Sequence, residues 1–191
     1  ANGGTTNTGV VDPLRELGGL CRDEGLWLHV DGAYGGFAVL TEEGRAALDG
    51  VDLADSVTLD PHKWLFQSYE TGCLLVRDAS ELESAFSTSP EYLQDARMGR
   101  DYVNFGDRGL QLSRSFRALK VWMSIKTFGV GAFREAIQRS MDLAREAVGA
   151  LAQTLGRGVE EIAQAILYLC GPNSGFITGS CLSINGGQHM S

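Results

Sequence analysis

Two short apolar runs in this chain stop abruptly at clusters of reactive side chains, and that pairing constrains the fold more than any other feature. Leu26-Trp27-Leu28-His29-Val30 ends at Asp31, and Ser56-Val57-Thr58-Leu59 ends at Asp60-Pro61-His62-Lys63. Such runs, bounded by turn signals, read as strands, and the near-continuous first one predicts a strand buried in a parallel sheet. Gly72-Cys73-Leu74-Leu75-Val76 predicts a third strand. Asp12-Pro13, followed by Leu14, Leu17, Leu20 and Cys21, predicts a capped helix ending near Gly25, and Glu42 to Leu48 predicts a short one. Strands alternating with helices and Gly-rich turns give an α/β domain. Ligands bind such sheets beyond the carboxyl ends of the strands. Gly4-Thr5-Thr6, Asp31-Gly32-Ala33 and Asp60-Pro61-His62-Lys63 are therefore expected to converge on one edge.

Beyond Glu81 the pattern loosens, and residues 95–109 are expected to form a mobile surface loop. Helices are predicted from Leu112 to Phe128 and from about Ala132 to Leu151, free of Pro and apolar at three- and four-residue spacing. A further helix, Val159–Leu169, and a short strand, Cys181–Ile184, close the chain. With 24 acidic against 16 basic side chains, the net charge of −8 argues against nucleic acid and anionic membranes as partners. No apolar run approaches the roughly 20 residues that span a bilayer. Cys21, Cys73, Cys170 and Cys181 include no CxxC pair, which suits buried thiols in a reducing, cytoplasmic setting. The first residues carry no export signal, and the chain opens inside a loop that reads as functional, so a piece of something longer is expected.

Asp31 follows a strand of Leu, Trp and Val, where a carboxylate is poorly solvated unless a cation faces it. Lys63 follows another strand between His62 and Trp64, where partial desolvation favours the neutral amine needed for Schiff-base chemistry. One acid placed to hold a proton and one lysine placed to form an imine suggest pyridoxal phosphate, which needs both. Other readings stand beside this one: Asp31 as a cap on the turn Gly32-Ala33-Tyr34-Gly35, Lys63 as a surface lysine, and His29, Asp31 and His62 as a metal triad.

Gly4-Thr5-Thr6-Asn7-Thr8-Gly9, Trp27-Leu28-His29-Val30-Asp31-Gly32-Ala33-Tyr34-Gly35-Gly36, Asp60-Pro61-His62-Lys63-Trp64 and Leu112-Ser113-Arg114-Ser115-Phe116-Arg117-Ala118-Leu119-Lys120-Val121-Trp122 closely resemble the group II pyridoxal-phosphate-dependent decarboxylases. Aromatic-L-amino-acid decarboxylases belong to that group. The resemblance covers about residues 3–148 and implies the large domain of the aspartate-aminotransferase fold (fold type I), a small-molecule amino-acid substrate and a homodimer. It implies that Lys63 holds the cofactor as an imine and that Asp31 bonds the pyridine nitrogen. Ala33 resembles the small residue packed on the ring, Thr5 the threonine beside its substituents, His62 the histidine that contacts substrate and cofactor, and Asp60 a residue near the phosphate. The family's mobile-loop tyrosine, a proton donor, aligns with Phe105. The donor is then lost or supplied by Tyr102, and in relatives such an exchange goes with aldehyde products. The family's ring-stacking histidine and part of its phosphate site precede the first residue of this chain.

The tail differs. Gly158 to Leu169, Ser174 to Gly179 and Leu182-Ser183-Ile184-Asn185-Gly186-Gly187 resemble the C-terminal end of short-chain dehydrogenases/reductases, a Rossmann-type sheet edge. That resemblance carries no Gly-rich dinucleotide loop and no Tyr-x-x-x-Lys pair. The expected division is a decarboxylase large-domain portion over 1–150 and a reductase-like tail over 151–191. The alternatives to a decarboxylase are an NAD(P)-dependent short-chain oxidoreductase and a chimeric chain without activity.

Overall fold

In a computed structural model the structure describes residues 1–86 and 103–155. Tyr102, loop residues 95–102, the helix expected at Val159–Leu169, the strand expected at Cys181–Ile184 and the reductase-like strings all lie outside the described residues. The chain divides into two compact units, Ala1–Ile137 and Gln138–Ser191. The described part of the second is helical, with Arg139 bonded to Glu146 at 2.8 Å and Gln138 donating to Asp142 at 3.2 Å. The first unit carries the features considered below.

Its sheet has the order β1 (His29–Asp31), β2 (Ser56–Leu59), β3 (Cys73–Val76). β1 and β2 are parallel, with Asp31 opposite Thr58. β2 and β3 are antiparallel, with Leu59 opposite Cys73. A parallel bridge from Asn2 to Asp31 brings the N-terminal segment alongside β1, so Gly3 and Gly4 leave the sheet at the edge where Asp31 ends.

β1 is shorter than its apolar run and, among the described residues, covered on one side only. Val30 is fully buried, while His29 and Asp31 point the other way and Leu26 and Trp27 are exposed. The expected buried parallel strand is met in its pairing with β2 and in the burial of Val30, and not at His29 and Asp31. The side-chain period of two sends alternate residues to opposite faces, and the helix α1 (Leu14–Asp23) supplies cover on one face. Leu14, Leu28, Val30, Leu48 and Ala54 form the core, with Leu17 and Cys21 of α1 packed against it. Fully burying Leu14 and Val30 contributes roughly 1.5–3 kcal/mol each, which makes packing the main tie between α1 and the sheet. The exposed ion pair between Arg15 and Asp49 adds little beside it. The expected Asp12 cap on α1 is absent, because Asp12 Oδ2 is engaged by the backbone and side-chain amides of Asn2.

Thr41 caps α2 (Glu42–Ala47) by accepting from the Gly44 N–H at 2.9 Å. α3 (Ala79–Phe86) lies where the sequence pattern had loosened. Asp78 starts it by accepting from the Ser80 N–H and hydroxyl, and these bonds hold the Asp78 carboxyl below its ordinary range. α4 (Ala118–Leu155) begins six residues later than expected and is interrupted by Gly129, at φ 75° and ψ 155°. The break falls between the two helices read from the sequence.

Candidate active site

Because β1 and β2 run in parallel, Asp31 and Asp60 emerge on the same edge, and the bridge at Asn2 brings Gly4 and Thr5 there as well. The three polar clusters converge, as the strand-end rule requires. Direct contacts join them. A Cβ on Gly4, whose φ is +105°, would lie 2.8 Å from Gly35 Cα, and one on Gly35 would lie 2.7 Å from the Gly3 carbonyl oxygen. Glycine alone lets these two loops touch. The Tyr34 ring meets the Trp64 ring at 5.4 Å, tying the loop after β1 to the loop after β2.

The loop after β2 carries the reactive groups. Lys63 Nζ is 2.9 Å from Asp60 Oδ2, with about a third of the lysine side chain exposed. His62 Nε2 lies 3.8 Å from the same oxygen. His62 Nδ1 receives the Thr71 N–H at 3.1 Å and sits 2.8 Å from the Thr71 carbonyl oxygen, with the Tyr69 ring edge-on at 4.8 Å. Sequence reasoning set Asp60 near a phosphate; here its carboxylate faces Lys63 and His62 of its own loop. Thr71, the residue that orients His62, escaped that reasoning because nothing in a lone Thr before a strand marks it.

Asp31 is exposed, contrary to the poorly solvated carboxylate expected from its apolar strand. The cause is the open face of β1. Its Oδ1 accepts from the Ala33 N–H at 3.0 Å, so the turn-capping reading holds, and Oδ2 has no bond among the described residues. The Thr5 hydroxyl is used locally, accepting from Val10 N–H at 3.1 Å and sharing a proton with Thr8 at 2.8 Å. His29 contacts the hydroxyls of Ser56 and Thr58 at 2.7 and 3.1 Å. Among the described residues no group of His, Cys, Asp or Glu could hold a metal ion, so the proposed triad of His29, Asp31 and His62 is not assembled. Phe105 opens a 3₁₀ turn, Phe105–Arg108, with its ring exposed and the Arg114 guanidinium 5.9 Å from its centre.

These residues fit a ring cofactor held through an imine. Lys63 offers a reachable amine, Asp31 a carboxylate oxygen for a cationic N–H, and Ala33 a short side chain. The Gly4–Gly35 contact packs the two flanking loops against each other, closer than any Cβ would allow.

Helix α4 supports this loop from outside. Arg117, just before it, pairs with Glu70 and holds the Glu70 carboxyl below its ordinary range, chiefly by that hydrogen bond. A carboxyl lowered on folding adds stability above its ordinary pKa and loses it as pH falls through the lowered value. Thermal unfolding followed on acidification should thus fall less steeply in Glu70→Gln than in the native chain, and only modestly so, because the pair is exposed. An identical acid limb in the two proteins would count against the pair.

Residues 1–165 match the family described as the pyridoxal-dependent decarboxylase conserved domain. An aromatic-L-amino-acid decarboxylase from Bacillus atrophaeus is 54% identical over 147 residues, covering 76% of this chain and 31% of the relative. A phenylacetaldehyde synthase from Petunia hybrida is 41% identical over 143 residues, 74% of this chain and 28% of its own length. The crystal structure of Catharanthus roseus tryptophan decarboxylase in complex with L-tryptophan superposes with a TM-score of 0.69 at 33% identity, covering 81% of this chain and 32% of that one. The chain thus spans less than a third of these relatives. The match runs on past residue 150 into the segment read as reductase-like, and these likenesses support the decarboxylase portion alone. On a match of that extent the chain belongs to the pyridoxal-dependent decarboxylases.

Proposed function

We propose that this chain is part of a pyridoxal-phosphate-dependent decarboxylase of aromatic amino acids, a carboxy-lyase. The observation that carries the reading is the convergence of Lys63, Asp31 and the touching Gly4 and Gly35 loops on one sheet edge. When bound, pyridoxal phosphate supplies an electron sink for the carbanion left as carbon dioxide departs. Lys63 would hold the cofactor through its amine, and Asp31 Oδ2 would keep a proton on the ring nitrogen. Ala33 would leave room for the ring, Thr5 would stand beside its substituents, and His62 would face the substrate. The 2.9 Å contact favours Asp60 as counter-ion to Lys63 over a place beside a phosphate, which its charge would repel. The same reading includes a homodimer in the cytoplasm, a decarboxylase portion over 1–150 and a separate segment over 151–191. The short-chain reductase likeness of that segment rests on its sequence strings alone. No helix among the described residues is long and apolar enough to cross a membrane.

The proton donor decides the product. Simple decarboxylation exchanges the carboxylate for a proton and leaves an amine. The oxidative course consumes dioxygen and water and releases an aldehyde, ammonia and hydrogen peroxide with the carbon dioxide. Phe105 has no acidic proton, which favours the oxidative course unless Tyr102 serves. The test is to supply pyridoxal phosphate and carboxyl-labelled aromatic amino acids, then to measure carbon dioxide, amine and aldehyde for the native protein and Phe105→Tyr. Cofactor-dependent carbon dioxide is expected, with the amine share rising in Phe105→Tyr. No release from any aromatic amino acid would overturn the decarboxylase reading, and an unchanged product ratio would overturn the role given to position 105.

A further inference from the structure

The segment that carries Lys63 is pinned at its two ends and strained in its middle. Residues 60–72 leave β2 after Leu59 and return to β3 at Cys73, and those two residues are partners in the ladder. Inside, the Phe66 N–H closes a turn on the Lys63 carbonyl at 3.1 Å, and Gln67 N–H bonds the Pro61 carbonyl at 3.0 Å. Phe66 has φ +55°, a left-handed conformation unfavourable for a side chain of that size, so the surrounding structure must hold it. Its neighbours are held by one face of α4. Lys120 Nζ donates to the carbonyls of Ser68 and Glu70, both at 2.9 Å. One turn on, the Ser124 hydroxyl donates at 2.9 Å to Oε1 of the buried Gln67, whose amide nitrogen in turn donates to the Leu65 carbonyl.

We propose that Lys120 is a positioning residue for Lys63: by gripping the carbonyls of Ser68 and Glu70 it fixes the turn at Phe66 and hence the direction of the Lys63 amine. Positions 120 and 124 are one turn apart and share a helix face. A single ammonium on two carbonyls is a charge-assisted clamp, stronger than neutral bonds of the same length. The inference rests on Lys63 as the imine-forming lysine.

The test uses two readouts on the native protein, Lys120→Met, Lys120→Arg and Ser124→Ala. The first is amide hydrogen exchange at Phe66, Gln67 and Thr71 without cofactor. The second is the rate at which added pyridoxal phosphate becomes fixed to Lys63 by borohydride. Lys120→Met should speed exchange at those amides and slow fixation, each about tenfold, the factor that corresponds to the loss of one charge-assisted bond. Exchange at Asp31 and Gly32 should not change, and Lys120→Arg should restore most of both effects; a merely structural role for Lys120 would disturb the sheet amides too. Should Lys120→Met fail to fold, Ser124→Ala carries the same test with a smaller effect, about threefold. Native protein that fixes cofactor at Lys63 while Lys120→Met (or, in its place, Ser124→Ala) does so at the same rate would overturn this inference and leave the functional reading intact. Native protein that fixes none at Lys63 would overturn both.

Discussion

Lys63→Ala is expected to leave no pyridoxal phosphate fixed to the protein by borohydride and to lower carbon dioxide release at least about a thousandfold, roughly 4 kcal/mol of barrier at 1.36 kcal/mol per factor of ten. Lys63→Arg should fail equally, because a guanidinium keeps its charge and offers no neutral amine to attack an aldehyde. Both variants should fold. Lys63 is partly exposed, and what it loses is one ion pair to Asp60. Peptide mapping after reduction checks the first claim and labelled carbon dioxide the second. Cofactor retained at another lysine in Lys63→Ala would mean that the edge described above is not the cofactor site.

The second large effect concerns folding. Gly50 has φ +94° and lies against the first turn of α1; a Cβ there would sit 2.4 Å from Arg15 N and 2.6 Å from Arg15 Cα. Left-handed strain alone costs roughly 1–2 kcal/mol, and a clash with helix backbone cannot be relieved by a rotamer change. Gly50→Ala should destabilise the protein by about 3 kcal/mol and lower the thermal midpoint by roughly 6–12 °C. Gly19 is the matched control. It lies inside α1 with open space where its Cβ would be, so Gly19→Ala should stabilise by up to about 1 kcal/mol. Thermal unfolding of the two variants side by side settles the point, and shifts of the same sign would refute the packing argument.

Both predictions rest on different depths of sequence reading. β2 was legible residue by residue, since its centre, Val57-Thr58, is β-branched, Leu59 is apolar, and the run stops at Asp60-Pro61. The interruption of α4 was legible too, because Gly129 and Gly131 bracket a point where the helical pattern pauses. α3 was not, since Ala79–Phe86 has a weak apolar face and a start that depends on Asp78 bonding Ser80. Of the site, the converging strand ends could be read from local pattern, because strand direction and loop chemistry are local properties. The supports of Lys63 could not. Gln67 and Ser124 are 57 residues apart, and Glu70 and Arg117 are 47 apart. Periodicity within a window carries no information about such pairs. Lys120 stood in a string already singled out for its likeness to a family, yet nothing local assigned it a partner.

The pairing of Leu59 with Cys73 bears on how this site can change over evolutionary time. For a flexible loop whose ends a ladder joins, extra length costs only closure entropy, about 0.6 kcal/mol for each doubling, but residues 60–72 carry more than that, since Leu65, Gln67 and Thr71 are buried. Insertions or deletions there would spare the strand pairing beneath and break the bonds to Lys120 and Ser124. A change of length in the segment bearing Lys63 would thus redirect that amine while the strand register, and with it Asp31 on the neighbouring strand, stays where it is.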